Sequence, residues 1–252
     1  MAQIYVVGHK NPDNDSIMAA YTYANLKNMT DSENTYVPVR LGELPAESAM
    51  LFDEYGIEPP ALIERVGEGD VLVLVDHNEM GQAVDGIEDA EVAEIIDHHR
   101  IADVSTSAPI TFINLPWGST TSIITKLYEY FGITTDEQIA ACLLSAILTD
   151  TVILKSPTAT ETDARHVEKL AKVLDVDPVE FGMRIFKSRG GDDDVSVEDI
   201  CSRDSKEFNF GGKKCWIAQY ETVDLEGLRK RTDDIAEQVA KIQDCLLYTS
   251  DA

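Results

Sequence analysis

Five histidines occur in the chain, and four of them stand beside aspartates directly after short apolar runs. Ile4 to Val7 leads into Gly8-His9-Lys10-Asn11-Pro12-Asp13-Asn14-Asp15, Val71 to Val75 ends in Asp76-His77, and Val92 to Ile96 ends in Asp97-His98-His99. Taken singly, each has a bland explanation. Asp13, Asn14 and Asp15 are good turn and N-cap residues, Asp76 can open a turn, and a histidine beside an aspartate is usually a hydrogen-bonded pair. The coincidence at three separate strand ends argues for a shared site. A further acid comes from a helix over Asp136 to Thr149, whose apolar face runs Ile139, Cys142, Leu143, Ala146, Ile147 and reaches Asp150 next on the i, i+3, i+4 ladder. If the helix frays one residue early, Asp150 is solvated; if not, a carboxylate ends a buried face and must be protonated, paired or metal-bound.

The resulting donor set is His9, Asp13, Asp15, Asp76, His98 or His99, and Asp150. Two imidazoles and four carboxylates exceed the needs of one ion, whereas two ions sharing a bridging carboxylate use them all. The lack of thiolate donors favours Mn²⁺ over structural zinc, with Co²⁺ and Mg²⁺ as alternatives. Two such ions ~3.5–4 Å apart would hold a hydroxide between them and clamp a phosphoryl oxygen. The chemistry implied is hydrolysis of a phosphoester or phosphoanhydride.

Elements must bring these residues together. The apolar runs alternate with helical patterns, which predicts βαβ units and a parallel sheet with helices on both faces. Further strands are predicted at Tyr36 to Val39 and Ile110 to Asn114. Helices are predicted at Ser16 to Asn28, Pro45 to Tyr55, Thr120 to Phe131, Thr160 to Val173 and Pro178 to Lys187, with His166 in an exposed helix. In an open parallel sheet, ligands bind beyond the carboxyl ends of the strands, where the three histidine-bearing segments would converge. Residues 188–194 pack two glycines and three acids and read as a linker between a domain over 1–187 and a second over 195–252. That second domain, with a short helix at Val197 to Ser202, strands at Glu207 to Phe210 and Cys215 to Tyr220, and a helix from Asp224 to about Ile242, is a smaller, incomplete α/β unit.

Composition narrows the partners. With 21 Lys plus Arg against 46 Asp plus Glu, the formal charge is −25, which repels nucleic acid and anionic membrane alike. A small anionic substrate remains compatible only where bound cations or a basic cluster reverse the field. No apolar run is long enough to span a bilayer and no secretory leader is evident, so a cytoplasmic location is expected. The four cysteines show no C-x-x-C spacing and read as free thiols.

Asp97-His98-His99 resembles the signature of the DHH phosphoesterase superfamily. Together with residues 8–16, Asp76-His77-Asn78-Glu79 and the segment 202–208, it looks like a family II, manganese-dependent inorganic pyrophosphatase with a DHHA2-type second domain. The resemblance implies one manganese on His9 and Asp13, the other on Asp15, His98 and Asp150, and Asp76 bridging both. It implies that His99 faces the substrate phosphate and that Lys206 holds a phosphate; His77 is read as lying behind the ligands, with its role left open. The implied reaction is hydrolysis of pyrophosphate, carried with Mg²⁺, to two phosphates by in-line attack of the bridging hydroxide; a homodimer stays open. The family's Ser-Arg-Lys-Lys-Gln segment is missing, so the chain reads as C-terminally truncated. The alternatives are another DHH phosphoesterase, acting on oligonucleotide, cyclic dinucleotide or polyphosphate, and a catalytically impaired metal-binding fragment.

Overall fold

The computed structural model describes residues 2–189, 195–202, 205–211, 213–218, 220, 222 and 225–248. The chain divides into two compact units, Met1–Ser188 and Arg189–Ala252. Among the described residues no helix is long and apolar enough to cross a membrane.

The first unit is built on six parallel strands, β1 (Gln3–Val7), β2 (Thr35–Arg40), β3 (Ala61–Leu62), β4 (Val71–Val75), β5 (Glu91–Asp97) and β6 (Thr111–Asn114), in the order β3-β2-β1-β4-β5-β6. Strand order reverses at β1: β2 and β3 extend the sheet on one side, and β4 to β6 on the other. Register pairs Val7 with Leu74 and Val75 with Ile96, so the residues following β1, β4 and β5 emerge side by side at the switch point.

β4 is five β-formers in a row, and Leu72 to Val75 are fully buried, as expected of a strand covered on both faces. Leu72 and Leu74 join Val7, Val39, Val84, Ile87 and Ile95 beneath two 3₁₀ turns, Met80–Gln82 and Ile87–Asp89. The opposite face carries α1 (Asn14–Thr30) and α3 (Thr120–Phe131). Around them pack α2 (Ala46–Glu54), α4 (Glu137–Asp150), α5 (Glu161–Leu174) and α6 (Pro178–Ser188). The helical cover is thus α on one face and 3₁₀ on the other.

Helix α4 is buried on every side from Ile139 to Thr149. Its register against α1 is fixed by Asn14, whose amide donates to Ser145 Oγ and Thr149 Oγ1 at 3.2 and 3.3 Å and accepts from Ser48 Oγ at 2.9 Å. The helix keeps its last residue, Asp150, rather than fraying before it. Immediately afterwards Val152, Ile153 and Leu154 adopt φ of 49°, 53° and 60°, a left-handed turn that costs ~1–2 kcal/mol per residue for L side chains. Buried Ile153 helps hold it: a Cβ on Gly182 of α6 would stand 2.9 Å from Ile153 Cγ1.

His166 is a correction to the sequence reading: it is 4 % exposed, with its ring edge-on to Trp117 at 6.0 Å. It belongs to the buried face Asp163, His166, Val167, Leu170, Ala171, an i, i+3, i+4 ladder that the flanking charges disguise. The two-residue β3 is too short to leave a periodic signal.

In the second unit, β7 (Ser205–Phe210) and β8 (Lys213–Ala218) form an antiparallel hairpin beside α7 (Val197–Ser202). The single helix expected from Asp224 is two, α8 (Leu225–Lys230) and α9 (Thr232–Tyr248), broken where Arg231 N closes onto Leu228 O at 3.0 Å and Thr232 Oγ1 caps Arg229 O at 2.7 Å. Most of the expected linker, residues 190–194, lies outside the described residues.

Candidate metal centre

β1 can deliver its loop to the site only because Gly8 has no side chain; a Cβ there would meet Ser16 Oγ at 1.9 Å. The same hydroxyl accepts from His9 N at 2.9 Å. Asp13 combines both sequence readings in one carboxylate. Its Oδ1 caps α1 by accepting from Ser16 N at 2.9 Å, while Oδ2 stands 3.7 Å from His9 Nε2.

Asp15 is buried in the first turn of α1 and is held from a neighbouring helix. The N-terminus of α3 donates to it through Thr120 N at 2.6 Å, Thr121 N at 3.1 Å and Thr121 Oγ1 at 2.7 Å. Asp76 follows β4 with φ of 63°, a left-handed conformation rare for a non-glycine residue and typical of strained functional positions. It is held by its N–H donating to Ile96 O at 2.9 Å and by Thr120 Oγ1 donating to its Oδ1 at 2.9 Å.

The histidines are set in one tautomer. His9 Nδ1 lies 2.8 Å from Lys10 O, and His98 Nδ1 lies 3.0 Å from Trp117 O. A carbonyl can only accept, so Nδ1 carries the proton in each ring and Nε2 is left for a second proton or a cation. His9 Nε2 stands 3.5 Å from Asp76 Oδ2; His98 Nε2 stands 3.5 Å from Asp76 Oδ1 and 3.6 Å from Asp150 Oδ2. His98 Nε2 is buried and, among the described residues, has no hydrogen-bond partner.

Two groups of donor atoms result, each within 4.8 Å: His9, Asp13 and Asp76, and Asp15, Asp76, His98 and Asp150. They share Asp76. Burial, and then the charge of Asp15, raises the Asp76 carboxyl well above its ordinary value. Burial, followed by Asp15, Asp13 and Asp76, does the same to Asp150. On His9 burial opposes charge, but Asp13 and Asp76 outweigh it and lift the ring to about 11. Without a cation this cluster holds protons instead, and its oxygen and imidazole donors fit borderline-hard divalent ions.

His99 stands apart, half exposed, its Nδ1 donating to Asp97 Oδ1 at 2.9 Å. A third group brings it with His98 to Asp76. Asp97, which the signature alone does not explain, is a buried knot: it accepts from the backbone N–H of His98 and His99 at 2.8 and 3.1 Å and from the Asn78 amide. Despite burial, its bonds to His99 and Asn78 hold its carboxyl at about 2. His77 is buried behind His9, with its rings edge-on at 6.5 Å and its Nδ1 donating to Val75 O at 2.9 Å. Thr120 and Thr121 were missed from sequence, although Gly118-Ser119-Thr120-Thr121 before a helix is an anion-holding N-terminus in composition. Lys206 lies on β7 opposite Ile217, with its side chain outside the described residues.

The sequence profile of the DHH family, N-terminal domain, matches residues 3–147, and that of the DHHA2 domain matches residues 183–246. A manganese-dependent inorganic pyrophosphatase of Methanothrix thermoacetophila is 42 % identical over 238 residues, 94 % of this chain and 76 % of that protein. One from Bacillus subtilis is 38 % identical over 243 residues, 96 % of this chain and 78 % of that protein. A crystal structure of a Methanococcus jannaschii protein assigned to the family II inorganic pyrophosphatases superposes with a TM-score of 0.74 at 35 % identity, covering 96 % of this chain and 79 % of that one. A buried carboxylate shared by two donor groups, on a switch-point sheet with these relatives, leads to one conclusion: the chain belongs to the DHH family, among the manganese-dependent inorganic pyrophosphatases.

Proposed function

We propose that this chain hydrolyses inorganic pyrophosphate to two phosphates in the cytoplasm with two Mn²⁺ per chain, Co²⁺ or Mg²⁺ serving as substitutes and Mg²⁺ accompanying the substrate. The observation that carries the reading is the pair of donor groups joined at Asp76. On this reading His9 and Asp13 would hold one ion, Asp15, His98 and Asp150 the other, and Asp76 would serve both. Ions so placed supply Lewis acidity to phosphoryl oxygens and acidify the attacking water.

The chain's own side chains do the remaining work. His99, steadied by Asp97 and half exposed beside Asp76, offers its outer nitrogen to a substrate phosphate. Asp97 favours charge on that ring through a direct hydrogen bond, and the raised pKa of His99 suits a donor to an anionic oxygen. Lys206 contributes a second cationic contact. Pyrophosphate carries several negative charges in a protein of net charge −25, so these cations and the ions offset repulsion that would otherwise exclude it.

Phosphate release from pyrophosphate, tripolyphosphate and a short oligonucleotide, each with Mn²⁺ and with chelator, tests the proposal. Pyrophosphate should be preferred and turnover should stop with chelator. Preference for either other substrate would identify a different phosphoesterase, and ion binding without turnover an impaired one. Lys206→Ala should lower kcat/KM by ~1.5–3 kcal/mol, the worth of a charge-assisted hydrogen bond, while leaving manganese stoichiometry unchanged.

A further inference from the structure

The turn from Trp117 to Thr121 touches three of the proposed ligands at once. The Trp117 carbonyl fixes the Nδ1 proton of His98 at 3.0 Å, Thr120 Oγ1 donates to Asp76 at 2.9 Å, and Thr120 and Thr121 together donate three bonds to Asp15. None of these turn residues is itself among the donors. What holds the turn is a further acid outside the donor groups, Asp163, fully buried on α5. Its Oδ2 accepts from Gly118 N at 2.9 Å, Thr160 N at 2.7 Å and Thr160 Oγ1 at 2.6 Å, and its Oδ1 accepts from Ser122 Oγ. The approach is so close that a Cβ on Gly118 would lie 2.8 Å from Asp163 Oδ2 and 2.5 Å from Thr151 Cγ2.

Among the described residues this buried carboxylate has no cationic partner, which makes it costly to retain, and the capping box that it closes with Thr160 at the start of α5 occupies only one of its two oxygens. We infer that Asp163 is a positioning residue for the metal centre: through Gly118 it clamps the 117–121 turn, which sets the tautomer of His98 and orients Asp15 and Asp76. The charge is suited to this because it gathers donors from both ends of the turn, Gly118 and Ser122, and ties them to Thr160 at the start of another helix. The packing of the Trp117 ring on buried His166 holds the same turn from below.

This inference rests on the metal-binding reading, and its test separates the two. Manganese affinity is measured by chelator competition, and the His98 tautomer by ¹⁵N NMR of the metal-free chain, for wild type, Asp163→Asn, Ser122→Ala and Leu170→Ala. Leu170 is 1 % exposed on the same helix and makes none of these bonds, so its variant reports loss of stability alone. Asp163→Asn should weaken manganese by ~10–100-fold and mix the tautomers of His98, while Leu170→Ala, equally or more destabilised, keeps both at wild type. If Asp163→Asn does not fold, Ser122→Ala decides: a several-fold loss of affinity with a shifted tautomer signal supports the clamp, and wild-type values overturn it. Equal losses in Asp163→Asn and Leu170→Ala also overturn it. A wild-type chain that binds no manganese, yet holds one tautomer, removes the metal reading and leaves the clamp standing.

Discussion

At the scale of single residues, Asp76 bears more of the site than any other side chain. It belongs to both donor groups, sits in the left-handed region and is bonded by Thr120. Asparagine tolerates that backbone, so Asp76→Asn removes ligand charge without breaking the strand end. It should abolish tight binding of both ions. Asp13→Asn should weaken chiefly one, and because Asn caps a helix as well as Asp, the loss will not be confused with fraying of α1. Manganese per chain after dialysis distinguishes them; full stoichiometry in Asp76→Asn would sink the shared role. Much of this was legible beforehand, since His9, Asp76 and His98 are marked by type and by the strand each follows. The bonds that hold them were not. Thr120 and Asp15 are 105 positions apart, and no local pattern pairs them.

Among the elements, the α4 terminus and the turn after it matter most. Asp150 was readable as the next position on an apolar ladder, and the helix does extend to it. The left-handed turn of Val152, Ile153 and Leu154 was not readable, because local propensity opposes it and the packing of Ile153 against Gly182 sustains it. Gly182→Ala should therefore destabilise the chain by ~1–3 kcal/mol through overpacking. Ile153→Ala alone should also destabilise, but the double variant should lose less than the sum of the two, as measured by urea denaturation. Strict additivity would mean that the notch above Gly182 does not carry the turn. The burial of His166 escaped reading for a related reason: charged neighbours on α5 hide a face that contacts with Trp117 reveal.

For the whole molecule, the crowded carboxylates couple stability to pH. The folded-state pKa values of Asp76, Asp150 and His9 lie above the ordinary 3.8 and 6.5 of the unfolded chain. Their contribution is complete below those ordinary values and drains away as pH rises through the raised ones. Asp97 runs the other way: its contribution is present above 3.8 and is lost as pH falls toward about 2. The metal-free chain should thus melt at lower temperature at about pH 8 than at about pH 5, and saturating Mn²⁺ should give a gain in Tm that grows over the same interval. Asp150→Asn should flatten the metal-free trend; an unchanged slope would acquit the cluster. The same surplus of negative charge has a kinetic side. A net charge of −25, with four carboxylates in the site, draws divalent cations inward and slows the approach of an anionic substrate. Since monovalent salt screens both encounters, raising ionic strength retards ion loading while it eases substrate capture, and the order in which the two arrive becomes a property of the solution as much as of the fold.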